Sequence, residues 1–165
     1  MARAEDSGLD PGSIDLVAVA QALHWFDVDA FFAEAGRVMK PDGLLAFWCY
    51  QNCIVDDEID PLIARVYADV GEFWPPERVF VEERYPHVVT PFEERPAGAF
   101  EISIPWSAAQ LINYMRTWSA TQRYMAARGT DPTAAYEGEL RRAWGDKPRT
   151  VRWPIVLRVC RNSET

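Results

Sequence analysis

The residues best placed to do chemistry in this chain are Gln21, His24 and Trp25, which directly follow the apolar run Leu16–Ala20. A histidine is the one side chain whose ordinary pKa, about 6.5, lets it take or give a proton near neutrality. His24 therefore reads as a base for a hydroxyl nucleophile, or as a ring packed at a strand-to-helix corner with Trp25 filling space beside it. Arg116 and Arg123 lie seven positions apart in a helical pattern. The planar guanidinium fork of Arg116 matches a carboxylate, and pairing with a surface acid is its other reading. Trp118 reads as core or as a wall of a substrate site. Cys49, Cys53 and Cys160 are an odd number without a second ligand pair, and His24 and His87 are not at metal-site spacing. Reduced structural thiols and no metal site are expected.

These side chains need elements to hold them. Ile14–Ala20 is nearly continuous in small and β-branched apolar residues, the pattern of a strand covered on both faces of a parallel sheet. Val28, Phe31, Phe32, Ala35, Val38 and Met39 recur at helical spacing, with Asp27 or Asp29 as cap and Pro41-Asp42-Gly43 as the stop. Residues 44–50 form a second buried strand, which completes a βαβ unit with a right-handed crossover. Ligands gather beyond the carboxyl ends of such parallel strands, and that is where Gln21 falls. Further on, the spacing predicts a helix over 56–73, a half-buried strand over 100–106 and a helix from Ser107 to about Arg128. A shorter helix ends near Trp144. The last strand, 150–160, carries Pro154, which predicts an edge position or a bulge. Residues 51–98 read as a lid or insertion within a single domain, 1–165.

The 165 residues carry 25 acids against 17 bases, a net charge of −8, which argues against nucleic acid as a partner. No apolar run approaches the roughly 20 residues that cross a bilayer. With no apolar leader at the start, a cytoplasmic protein is expected.

Ala4-Glu5-Asp6, Asp15-Leu-Val17, Ala20-Gln-Ala-Leu-His-Trp-Phe26 and Arg37-Val-Met-Lys-Pro-Asp-Gly43 together resemble the later segments of class I S-adenosylmethionine-dependent methyltransferases. The His-Trp-Phe tail and Arg116-Thr-Trp-Ser119 are most similar to the trans-aconitate methyltransferase-like subgroup. The resemblance implies an α/β fold, an incomplete Rossmann-like sheet in the order 4-5-7-6 with an antiparallel last strand, and a helical lid. It implies S-adenosyl-L-methionine as cofactor and O-methylation of a small carboxylic acid. Ala4, Glu5 and Gln21 match cofactor-binding positions, His24 the catalytic one, and Trp25, Arg116 and Trp118 the acceptor side. Glu5 and Asp6 read equally as solvated residues. In the family a Gly-x-Gly loop follows the first strand, and the nine glycines here form none. The chain is thus expected to be the C-terminal part of such a domain, inactive alone. The alternative is a non-catalytic interaction module, a homodimer or partner-binding chain that uses the open edge of the strand at 14–20.

Overall fold

The structure, a computed structural model, describes residues 2–79, 85 and 88–163. The chain divides into two compact units: 1–51, 77–101 and 154–165 form the first, 52–76 and 102–153 the second.

The first unit holds the βαβ arrangement. Strand β1 (Ile14–Ala20) leads through a 3-10 turn (Leu23–Trp25) to helix α1 (Val28–Val38), which Asp27 caps by accepting from Ala30 N–H at 3.2 Å. Strand β2 (Met39–Tyr50) follows without a break and runs parallel to β1, with Leu16 opposite Leu44 and Ala20 opposite Trp48. The Pro41-Asp42-Gly43 segment does stop the helix, but it lies within β2 as an irregularity between the pairs Ile14–Met39 and Leu16–Leu44. The final strand β5 (Arg149–Arg161) runs antiparallel to β2, and the short β3 (Glu93–Arg95) antiparallel to β5, so the order is β1-β2-β5-β3. The predicted Rossmann-like α/β sheet with an antiparallel last strand is thereby seen.

Two expectations need correction. The run 14–20 is not covered on both faces: Val19 is buried, while Leu16 is 55% exposed, because only the Val17 and Val19 side packs in the core with α1 and Leu16, Ala18 and Ala20 point the other way. Nor does the edge alternative for Pro154 hold, since β5 lies between β2 and β3, the inner place that the order 4-5-7-6 implies. Pro154 is accommodated because it lies one residue before Ile155, the first residue of β5 paired with β2 (opposite Tyr50), so no ladder N–H toward β2 is needed from it. Strand β3 escaped notice because three charged residues carry no apolar alternation. Its place is fixed by Glu94 on Arg158 (2.9 Å) and Glu93 on Arg161 (2.8 Å).

Behind the sheet, Phe31, Phe32 and Ala35 of α1 pack with Leu45, Phe47 and Cys49 of β2. Gly43 is required by space. A Cβ there would stand 2.9 Å from Lys40 O and 3.2 Å from Ile14 O, both backbone atoms. Gly43→Ala is expected to cost roughly 1–3 kcal/mol, measured as a lower denaturant midpoint at unchanged slope.

The second unit contains α2 (Asp60–Asp69), β4 (Phe100–Trp106, from Ile102 onward), α3 (Ala108–Arg116), α4 (Ser119–Arg128), α5 (Ala134–Trp144) and the first residues of β5, with which β4 pairs. The single helix expected over 107–128 is two. Ser107 starts α3 with a reciprocal capping box to Gln110, and the chain breaks at Thr117 and Trp118, where Thr117 Oγ1 donates back to Tyr114 O at 2.7 Å. The helix expected over 56–73 is shorter because Asp56 and Asp60 accept from backbone N–H groups just ahead of its first turn. The expected lid is shared out: 52–76 belong to the second unit and 77–98 to the first, with 80–84 and 86–87 outside the described residues.

Candidate functional site

The site in the first unit is built where β1 and β2 end. Gln21 takes a left-handed backbone, φ 51, costly for a residue with a Cβ. Its N–H donates to Trp48 O at 2.9 Å, its Oε1 accepts from Tyr50 N–H at 2.8 Å, and its Nε2 donates to Tyr50 O at 3.4 Å. The amide thus extends the ladder by one step in side-chain form and holds the two strand ends together. Gln21→Ala strips both Tyr50 groups of a partner and is expected to cost about 1–3 kcal/mol. Gln21→Gly, which removes the left-handed strain as well, should be more stable than Gln21→Ala by roughly 1–2 kcal/mol. Equal unfolding midpoints for the two variants would show that the backbone there is unstrained.

Next in the chain, Leu23 plugs into the core at 1% exposure and so turns its neighbours outward. Trp25 is 58% exposed, with its ring 4.8 Å from that of His24. His24 Nδ1 lies 3.3 Å from the Tyr85 hydroxyl. Burial, and then the positive charge of Arg78, lower the His24 pKa, with Glu77 acting the other way, which favours the neutral ring. Burial pushes the Tyr85 hydroxyl up, so it keeps its proton. Tyr85 also has a left-handed backbone, φ 53. Two strained non-glycine residues therefore stand at one strand end.

Ala4 and Glu5 flank the same corner. Glu5 accepts from Asp27 N–H at 3.1 Å, and that bond together with its own backbone N–H lowers its pKa. Ala4 packs on the core and borders a groove of about 440 Å³ along β1 and α1, lined by Leu9, Leu16, Val17, Phe26 and Ala35 among others. Ser7 closes its far end by donating to Glu34 from both N–H (2.9 Å) and Oγ (2.6 Å). These bonds and Arg37 bring the Glu34 pKa to about 2.

Arg116 and Trp118 belong to the second unit. All three Arg116 guanidinium nitrogens are engaged: Nε with Asp131 at 2.7 Å, Nη1 with Asn113 at 3.0 Å and Nη2 with Glu137 at 3.2 Å. Trp118 is 7% exposed and packs against Tyr67, Trp74 and Tyr114. The structure thus brings Ala4, Glu5, Gln21, His24 and Trp25 to one corner and commits Arg116 and Trp118 to internal contacts of the other unit. Tyr85 was missed by sequence reasoning, because a tyrosine in an aperiodic, proline-rich stretch carries no local signal. Among the described residues, no group of three or more His, Cys, Asp or Glu could hold a metal ion, and no helix is long and apolar enough to cross a membrane.

A parallel strand pair joined through a helix, with polar side chains at its carboxyl ends, is the building unit of Rossmann-like α/β folds. Comparison narrows it. Residues 1–47 match the methyltransferase domain family. The structure assigned as a type II methyltransferase from Anaeromyxobacter dehalogenans is 40% identical with a TM-score of 0.90, and the match covers 99% of this chain and 71% of that one. A protein of Dictyostelium discoideum named as a methyltransferase is 27% identical over 166 residues, 95% of this chain and 63% of its own length. A Saccharomyces cerevisiae protein named as an S-adenosylmethionine-dependent methyltransferase is 38% identical over 66 residues, 39% of this chain and 22% of its own. The chain belongs to the class I S-adenosylmethionine-dependent methyltransferases. It spans less than two thirds of the length of these two curated relatives.

Proposed function

We propose that this chain forms the strand-end part of an S-adenosylmethionine-dependent methyltransferase site whose acceptor is a small carboxylic acid, methylated on oxygen. The observation that supports this most is the corner itself, with Gln21, His24 and Trp25 at the carboxyl end of β1 and Glu5 and Ala4 beside them. S-adenosylmethionine would supply an electrophilic methyl group on a sulfonium. The acid's carboxylate oxygen forms the new C–O bond as the C–S bond breaks and sulfur keeps the electron pair. No proton moves, so the protein's work is to orient the acid and keep water out. Gln21 and Glu5 border the cofactor, His24 touches the acceptor, and Trp25 shields the reacting atoms.

The test is transfer of labelled methyl to a panel of small mono-, di- and tricarboxylic acids. Base-labile methyl esters are the expected products, and label on amines or phenols but on no acid would overturn the acceptor class. Arg116 tests separately. A carboxylate clamp at Arg116 would have to displace Asp131 or Glu137. Arg116→Ala is therefore expected to lower the thermal midpoint of the second unit, a loss of roughly 1–2 kcal/mol, and a raised KM for acids at unchanged midpoint would restore it as a clamp.

A second reading rests on β1. It ends the sheet order with Leu16 exposed, which suits strand addition by a partner chain or a second copy. In that reading the chain is a non-catalytic module. No heat with millimolar S-adenosylhomocysteine, together with a dimer by light scattering, would favour it. A monodisperse monomer that takes up the ligand would remove it.

A further inference from the structure

The hydroxyl of Tyr85 has one hydrogen-bond partner among the described residues, His24 Nδ1. The Cys49 thiol acts on it electrostatically, and its other described neighbours in the core are apolar. Tyr85 is 2% exposed, belongs to the core cluster with Leu23 and Val88, and sets its ring against Phe47 at 6.1 Å in an edge-to-face arrangement. A small cavity of about 40 Å³ lies between Leu23, His24, Phe26, Val28, Tyr85 and Val88. A buried O–H left without an acceptor costs the full desolvation of that group, which favours donation to the lone pair that stands 3.3 Å away among the described residues. That lone pair is on Nδ1. The reverse arrangement, with Nδ1–H donating to the phenol oxygen, would satisfy the ring and orphan the hydroxyl.

We propose that Tyr85 is a positioning residue, whose hydroxyl donates to His24 Nδ1, holds the neutral imidazole in its Nε2–H form and so makes His24 a hydrogen-bond donor to the acceptor rather than a base. The far edge of the ring then presents an N–H. Nε2 meets no polar partner among the described residues, and the exposed indole of Trp25 stands beside it. An N–H there selects a group with a free lone pair, such as a carboxylate or carbonyl oxygen, and offers nothing to an alcohol that must lose its proton. This specificity argument rests on the proposed methyltransferase reading. The assignment of the proton does not. The charged residues that act on the ring are Arg78 and Glu77, and neither is a hydrogen-bond partner of Nδ1.

The test is nitrogen and carbon NMR of the imidazole at neutral pH in the full chain carrying His87→Gln, which leaves His24 as the only histidine. The expected spectrum has a pyrrole-type Nε2 bearing the proton and a pyridine-type Nδ1 shifted by an accepted hydrogen bond. Tyr85→Phe, with the amide spectrum otherwise retained, should move Nδ1 to the position of an unbonded lone pair and leave Nε2 protonated. A proton on Nδ1 in the unsubstituted ring would overturn the inference, as would an Nδ1 resonance unmoved by Tyr85→Phe. Should no acid be methylated while the spectra match expectation, the acceptor class falls and the Tyr85 assignment stands.

Discussion

Replacing Phe47 with Ala is expected to cost roughly 3–5 kcal/mol and to lower the thermal midpoint of the first unit by on the order of 10 °C. Phe47 is fully buried in the middle of β2. Its ring centre lies 6.3 Å from that of Phe32 and 6.1 Å from that of Tyr85, and the Arg158 guanidinium sits 5.1 Å from it. Strand β2 is held by β1 on one side and β5 on the other, which resists collapse of the hole. That puts the cost at the upper end for large-to-small changes. The variant has a second readout. Tyr85 loses the edge-to-face wall that fixes its ring, so the hydrogen bond to His24 Nδ1 should weaken although neither partner is changed. Phe47→Leu fills more of the space and should recover a large part of the stability. A stability within about 1 kcal/mol of the parent for Phe47→Ala would show that the core can close over the gap.

Trp153→Ala is expected to cost a similar roughly 3–5 kcal/mol in the second unit. Trp153 is 4% exposed, with its ring centre 4.8 Å from that of Trp106 and 5.4 Å from that of Tyr114, both near edge-to-face. Its indole N–H donates to the Tyr114 hydroxyl at 3.0 Å. Truncation removes the ring contacts and the donor together. Trp153→Phe separates them: it keeps an aromatic ring and loses the N–H, and it should cost about 1–3 kcal/mol. If the two substitutions cost the same, the hydrogen bond and not the packing holds this cluster. Differential calorimetry on both variants decides it.

These two residues show how unevenly the sequence reports on the fold. Phe47 sits in a strand whose apolar run can be read directly, and its burial is as expected. Trp153 precedes Pro154, whose presence alone reads as an edge position or a bulge, and the strand is internal to the sheet because β2 and β3 both pair with it. Pairing is a long-range choice, and a proline tells only where one N–H is absent. The same limit explains the two helices found over 107–128. The apolar spacing of Leu111, Met115 and Trp118 continues through the break. What interrupts it is Thr117, whose hydroxyl turns back to Tyr114 O while Arg116 is drawn to Asp131 and Glu137.

What the sequence alone determined are the features set by neighbours along the chain. These are strand 14–20, the helix that Asp27 caps, the strand at 100–106 (though its Phe100, Ile102 and Ile104 are exposed rather than half-buried), and the placing of Gln21, His24 and Trp25 just past the first strand. Periodicity, capping and strand-end position act over a few residues and can be read there. Tertiary structure decided the rest. It set Gln21 in a left-handed turn with its amide spent on Tyr50, tied Arg116 to two carboxylates, buried Trp118, and brought Tyr85 across 61 residues to one nitrogen of His24. Each depends on which distant backbone or side chain arrives at hydrogen-bonding distance. That is fixed by how apolar faces bury one another, and nothing in the local order of residues encodes it.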